Sequence, residues 1–276
     1  MTVLWGILII LAADAIAITA MLLVRRRAPE GSYFTDGDRA SGVFGVLATG
    51  FAIFAGFVIF LAFTSYDQSR SGAEAEALAV TQQFETAQFL PAKVRPGLTG
   101  GLVCYGRSIV HQEWPEMRNG TIGDAINPWS VSLFRSLKLA NPTTSTEQSA
   151  YDKWLDQTSD REEGRRDRIH GAAGIVPTSL WIILFLTAGV LFAYMLFFAD
   201  SAEFARSQAM LIGSATTVVV ATLLAINALN HPYGSGLGSI KPVAMERSLR
   251  LIDQARAAVN DKARLPCDTE GKPVAA

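Results

Sequence analysis

The chain has 276 residues, half of them hydrophobic, and a formal net charge of −1. That near-zero charge argues against a nucleic-acid partner, and a positive mean hydropathy points away from an ordinary soluble domain. Residues 3–24, 43–65, 176–199 and 207–229 are apolar runs close to the about 20 residues that a helix needs to cross a bilayer. Asp14 is the only charged residue among them. The sequence therefore reads as an all-α, four-span helical membrane protein, with a helical soluble extension between spans two and three. The expected organisation is a transmembrane pair over 1–65, the extension over 66–174, and a second pair over 175–229. A turn and amphipathic helix over 230–264 and a disordered tail over 265–276 complete it.

The first span lacks a basic leader, and Arg25, Arg26 and Arg27 follow its apolar run, so it does not read as a cleaved signal. By the positive-inside rule these arginines keep the first loop in the cytoplasm. The expectation is a multi-pass inner-membrane protein with residues 66–174 on the outer side. Asp14 carries a cost of about 2.5–3.5 kcal/mol at mid-membrane, so it should face protein or water. It is either an ion or proton site, or a hydrogen-bonded residue near Asn227 or Thr222. An ionised ring of it around a pore would oppose anions.

In the second span Phe51, Phe54, Phe57, Phe60 and Phe63 recur every third residue. At about 100° per residue they drift by about 60° per step and spiral around the helix. A four-residue stripe, Ile53, Phe57 and Leu61, keeps to one side. It suits either a dewetting constriction in a pore or packing against neighbouring helices and lipid. Gly45, Gly50 and Gly56 allow close helix packing. Apart from Gly72 no breaker falls in residues 71–90, so the span should continue through them as one projecting helix.

Pro91 and Pro96 punctuate that helix. The next runs to about Glu113, with Leu98, Leu102, Tyr105 and Ile109 on one face. Asn127-Pro128 starts a shorter helix through Leu139. The "STEQ" run of residues 145–148 reads as a capping box for a helix bearing Tyr151, Trp154 and Leu155. The charge run "SDREEGRRDR" at its end reads as a solvated face with local Glu-Arg pairs, in preference to a binding patch. After the fourth span comes "LNHPYGSGLGSIKP", where Pro232 cannot continue a helix and His231 and Tyr233 suit a membrane interface. The expectation there is a helix stop and turn, with a gating turn at a pore mouth as the alternative. Residues 242–261 form an amphipathic helix with Met245, Leu249, Ile252 and Val259 on one face.

Enzyme signals are weak, and no cofactor is expected. His111 and Glu113 lack metal-motif spacing and read as a polar helix face. The glycines of "LTGGLVCYG" lack a strand-turn-helix setting. Cys104 and Cys267 are the only cysteines. Four spans put both on one side, which permits a disulfide, but two unrelated thiols are the expectation.

Several stretches together resemble the bacterial bestrophin-like membrane proteins. They are "GFAIFAGFVIFLAFTSY", "AEAEALA", "YGRSIVHQEWPEM", "GIVPTSLW" and "NHPYGSG", which span most of residues 42–242 in the family's order. The resemblance implies a homo-oligomeric ion channel in the lipid bilayer, by analogy a pentamer conducting an anion, with a hydrophobic neck on the second helix. In bestrophins a calcium clasp follows an Asn-Pro-Phe-Gly turn. Here His231-Pro232-Tyr233-Gly234 stands in that place, but "SGLGSIK" replaces the acidic run, so no metal site is expected. Bestrophins also keep their termini in the cytoplasm, against the charge rule. The rival reading is a non-conducting structural or sensory module whose extension binds a partner protein.

Overall fold

The computed structural model describes residues 3–121, 126–236, 238–259, 261 and 263–274. In chain order the helices are α1 (Val3–Arg25), α2 (Gly37–Ala87), α3 (Arg95–Ser108), a π-helical turn (Ile109–Glu113), α4 (Trp114–Arg118), α5 (Pro128–Lys138), α6 (Ser145–His170), α7 (Thr178–Phe197), α8 (Ala205–Asn230) and α9 (Val243–Ala258). Among the described residues the only β pairing is an isolated bridge between Cys267 and Pro273. The chain divides into two compact units: Met1–Thr64 with Ile175–Asn230 and Ser235–Gly238, and Ser65–Gly174 with His231–Gly234 and Ser239–Ala276. Helix α2 contributes to both, and it runs unbroken through residues 71–87 as the lack of breakers predicts.

The first unit contains α1, the first part of α2, α7 and α8. Among the described residues four helices, α1, α2, α7 and α8, are long and apolar enough to cross a membrane. Helix α2 begins where the Asp36 carboxyl accepts the Arg39 N–H at 2.9 Å. Phe51, Ala55 and Val58 of α2 pack with Leu184 and Leu191 of α7 and Ile226 of α8. Helix α1 lies along α8, and Asn230 accepts the Ile175 and Val176 N–H groups at 2.7 and 2.8 Å, just before α7. The Arg25 guanidinium donates to the carbonyls of Asp200, Ser201 and Glu203, which ties the α7–α8 loop to the end of α1.

In the second unit the later part of α2 pairs antiparallel with α6. Ser69, Gly72 and Gln83 of α2 meet Gly171, Gly164 and Trp154 in reversed order. The two helices approach so closely that a Cβ on Gly164 would stand 2.6 Å from the Glu76 backbone nitrogen. Leu98, Leu102, Tyr105 and Ile109 are buried as their spacing predicts. In fact α3 is buried nearly all round, the state of a helix at the centre of its unit. Asn127 caps α5 through Trp129 N–H at 2.9 Å. The capping box of α6 is offset by one residue from the "STEQ" reading: Thr144 is the cap and Glu147 its partner, since the first helical residue is Ser145.

Two expectations fail in the C-terminal stretch. Cys104 and Cys267 are not separate thiols but form a disulfide across 163 residues of sequence. Of the stretch expected to be a disordered tail, residues 265–274 are fixed on α3 and α5, and residues 275–276 lie outside the described residues. Pro266 packs on Gly100, Arg107 donates to the Asp268 carbonyl at 3.0 Å, and Trp129 Nε1 donates to the Gly271 carbonyl at 2.8 Å. Several of its backbone polar groups find partners there, which a terminal position alone does not reveal. In α9 Met245 and Ile252 are buried, whereas Val259 lies beyond the helix and is exposed.

Candidate functional site

On α2 the four-residue stripe is solvent-accessible in the subunit. Ile53 is 70% exposed, Phe57 59% and Leu61 39%, while Phe51, Ala55 and Val58 on the opposite side are buried. The helix is thus apolar on both sides within the span, and only one side is used for packing inside the subunit. Phe60 and Phe63 are also exposed, and Phe51 is buried, so the phenylalanines do spiral.

Asp14 is half-buried on α1 and accepts a hydrogen bond from Thr217 Oγ1 of α8 at 2.8 Å; its other oxygen is buried. Its partner is Thr217, not Asn227 or Thr222 as anticipated. Thr222 instead turns its hydroxyl to the Val218 carbonyl at 2.8 Å, the self-satisfying bond common for threonine inside helices. Asn227 is half-buried on α8.

The turn after α8 folds into the second unit. His231 is exposed, but Pro232 and Tyr233 are buried within the protein. The Tyr233 hydroxyl donates to the Arg168 carbonyl at 2.5 Å, and its ring meets Trp114 edge-on at 5.6 Å. Gly234 N–H closes the turn on the His231 carbonyl at 3.1 Å. Burial pushes the Tyr233 hydroxyl well above its ordinary value.

Beside this turn lies a buried charge network that corrects the reading of "SDREEGRRDR" as a solvated face. Arg168 is wholly buried and bridges two carboxylates, Glu76 of α2 and Glu113 of the π-helical turn, the latter at 2.5 Å. Arg165 reaches Glu113 at 3.1 Å. Arg161 donates to Gln83 at 2.8 Å and lies over the Tyr105 ring at 4.9 Å. Tyr105 in turn donates to Glu76 at 2.6 Å, and Asn127 donates to Glu113 at 2.9 Å. Glu113 is therefore not part of a polar helix face, although its neighbour His111 is exposed. Pro115 explains the placement: it has no N–H for the His111 carbonyl, and the widened turn instead bonds Trp114 N–H to the Ile109 carbonyl.

The electrostatics follow from these distances. Burial would raise the Glu113 carboxyl, but Arg168 and Arg165 outweigh it and hold the group below the ordinary carboxylate value. Burial would likewise lower Arg168, yet Glu76 and Glu113 raise it above the ordinary arginine value. The Tyr105 hydroxyl is pushed well up, first by burial and then by Glu76. This network holds ions in fixed register and offers no open reactive group. Sequence reasoning missed it, although one signal was present: Trp154, Gln157, Arg161, Gly164 and Arg168 repeat at steps of three and four, the stripe of a buried helix face.

A family model of the bestrophin-like domain matches residues 15–245. The chain belongs to the bestrophin-like family. Two solved structures of a bacterial bestrophin homolog from Klebsiella pneumoniae, each with a point mutation, are similar to it. One matches at 19% identity and a TM-score of 0.61, covering 91% of this chain and 99% of that one. The other matches at 16% identity and a TM-score of 0.64, covering 92% and 99%. A third structure, of a membrane protein bearing a point mutation, matches at 17% identity and a TM-score of 0.61 over 88% and 98%. Likeness at these identities shows the fold of this bestrophin-like chain, which is all-α with four apolar candidate spans. No curated protein matches it.

Proposed function

We propose that this bestrophin-like chain is one subunit of a homo-oligomeric ion channel in the lipid bilayer, with Ile53, Phe57 and Leu61 forming its neck. The observation that carries this reading is the exposed apolar stripe of α2, set against the buried face of Phe51, Ala55 and Val58. Residues four apart turn by only about 40° per step, so the three stay on one side of the helix. Side chains of this kind, repeated around an axis, narrow a pore and make water unfavourable in it. By analogy the oligomer is a pentamer and the ion an anion. Flux through liposomes holding the purified protein is the test, and Phe57→Ala should widen the neck and raise conductance several-fold. Absence of flux from both parent and variant would reject the channel.

A second reading has one observation in its favour. Val131 and Phe134 of α5 are exposed, with Leu139 69% exposed just beyond, while Leu133 and Leu137 pack inward. Such a patch suits a partner protein, and a non-conducting structural or sensory module would use it.

The disulfide bears on orientation. Disulfides persist on the oxidising side of a membrane, and the arginines that follow α1 favour the cytoplasm. Both support an extracytoplasmic place for residues 66–174 in an inner membrane. Labelling of intact cells tests it: a cysteine introduced at Asn119 should react from outside and one at Ser32 should not. The reverse pattern would put the helical unit in the cytoplasm.

A further inference from the structure

The first unit contains an apolar groove of about 930 Å³ between α2 and α8, with α1 and α7 closing its back. That volume lies near the top of the roughly 300–1,000 Å³ range of small-molecule sites. Small residues of α2, Ala48, Ala52 and Gly56, make one wall deep, and Leu211, Ala215 and Val218 of α8 form the other. At one end, where the α7–α8 loop runs into α8, the lining turns polar with Glu203 and Gln208.

Gln208 is the informative residue. It is 6% exposed, and its Nε2 donates to the Asp200 carbonyl at 2.9 Å and to Glu203 Oε2 at 3.0 Å. Two acceptors on that side fix the amide orientation. Its Oε1 is consequently a buried acceptor with no partner in the protein, and leaving such an atom unmatched is costly. The groove therefore presents an unmatched acceptor at its polar end and apolar walls along its length.

We propose that this groove binds a membrane phospholipid with an amine headgroup, one acyl chain between α2 and α8 and the ammonium donating to Gln208 Oε1 beside the Glu203 carboxylate. A groove opening from membrane-spanning helices meets hydrocarbon, not water, so an acyl chain is its natural filling. Both acceptors at its end match an ammonium that carries N–H groups. Arg206, exposed in the first turn of α8, supplies a cation for the phosphate. This site is independent of whether the protein conducts.

The discriminating probe is the headgroup. The purified protein is relipidated with equal amounts of phosphatidylethanolamine and phosphatidylcholine bearing the same chains, and retained lipid is counted by native mass spectrometry. Choline has no N–H, so the parent should retain the ethanolamine lipid by about fivefold to tenfold, the scale of one hydrogen bond to a buried acceptor. Gln208→Leu should bring the ratio to about one while keeping the chain. Ala52→Phe, which fills the groove from the other wall, should reduce retention of both lipids. Equal retention by the parent, or undiminished retention by Ala52→Phe, would overturn the proposal. So would efficient cross-linking between copies through Ala52→Cys, because the groove would then be a contact between subunits.

Discussion

In the first unit the residues buried between the spans include Ala17, Met21, Phe51, Ala55, Val58, Leu184, Leu191, Ile212 and Ile226, with a few polar ones such as Gln208 and Thr216. In the second unit the largest wholly buried side chains include Arg161 and Arg168 beside Trp154 and Tyr105. The difference follows from what each set of helices is surrounded by. Helices in hydrocarbon gain nothing from hiding apolar atoms from one another, so they associate by close packing and isolated hydrogen bonds such as Thr217 to Asp14. Helices in water gain from burial but also admit charges, provided each charge is matched. Arg168 is matched twice, by Glu76 and Glu113, and this fixes the register of α6 against α2 and the π-helical turn. A purely apolar stripe leaves more freedom to slide.

The largest effect is expected at Arg168. Arg168→Met keeps much of the volume but leaves two buried carboxylates without their shared cation. The expected cost is about 3–5 kcal/mol, the usual scale for removing one member of a buried ion pair. Unfolding followed by the fluorescence of Trp114, Trp129 and Trp154, with Trp5 and Trp181 replaced by phenylalanine, measures it in the second unit. A cost below about 1 kcal/mol, the scale of an exposed pair, would mean that the network is incidental and packing alone holds the helices.

A milder and sharper version uses one substitution in both units. Gly164→Ala places a methyl group 2.6 Å from the Glu76 backbone nitrogen, and backbone cannot move aside as a side chain can. Overpacking of this kind costs about 1–3 kcal/mol. Gly56→Ala meets nothing within 4 Å inside the subunit. There the gain in helix propensity, up to about 1 kcal/mol, should leave stability level or slightly raised. Thermal unfolding of both variants in detergent compares them directly. Equal losses would show that α2 is as tightly packed at Gly56 as at its crossing with α6, which points to a neighbouring copy there.

What the sequence disclosed, and what it hid, divides along the same line. The spans were legible because hydrocarbon tolerates little except long apolar runs, and their ends fell within a few residues of α1, α7 and α8. Helices α3, α5 and α9 were legible from apolar periodicity and from Pro128 and Asn127. The interior of the second unit was not, because Glu76, Arg161 and Arg168 are types normally found in water. For Arg161 and Arg168, only a step of three and four in phase with Trp154 and Gly164 marks them as internal. The disulfide was hidden because two cysteines 163 residues apart carry no spacing signal. The stripe of Ile53, Phe57 and Leu61 came from helix geometry, and all three lie accessible in the subunit; what they face is a property of the assembly.

The smallest expected effect belongs to Asp14, and it distinguishes packing from ion handling. Asp14→Asn preserves a side-chain oxygen able to accept the Thr217 hydroxyl, so the link between α1 and α8 can persist. The amide has the shape and volume of the carboxyl and keeps that acceptor, so stability should change by less than about 1 kcal/mol in thermal unfolding. If Asp14 only holds α1 to α8, liposome flux and its pH dependence should match the parent. A changed flux or pH dependence at unchanged stability would identify Asp14 as an ion or proton site, and would make α1 and α8, beside α2, part of the route that ions take.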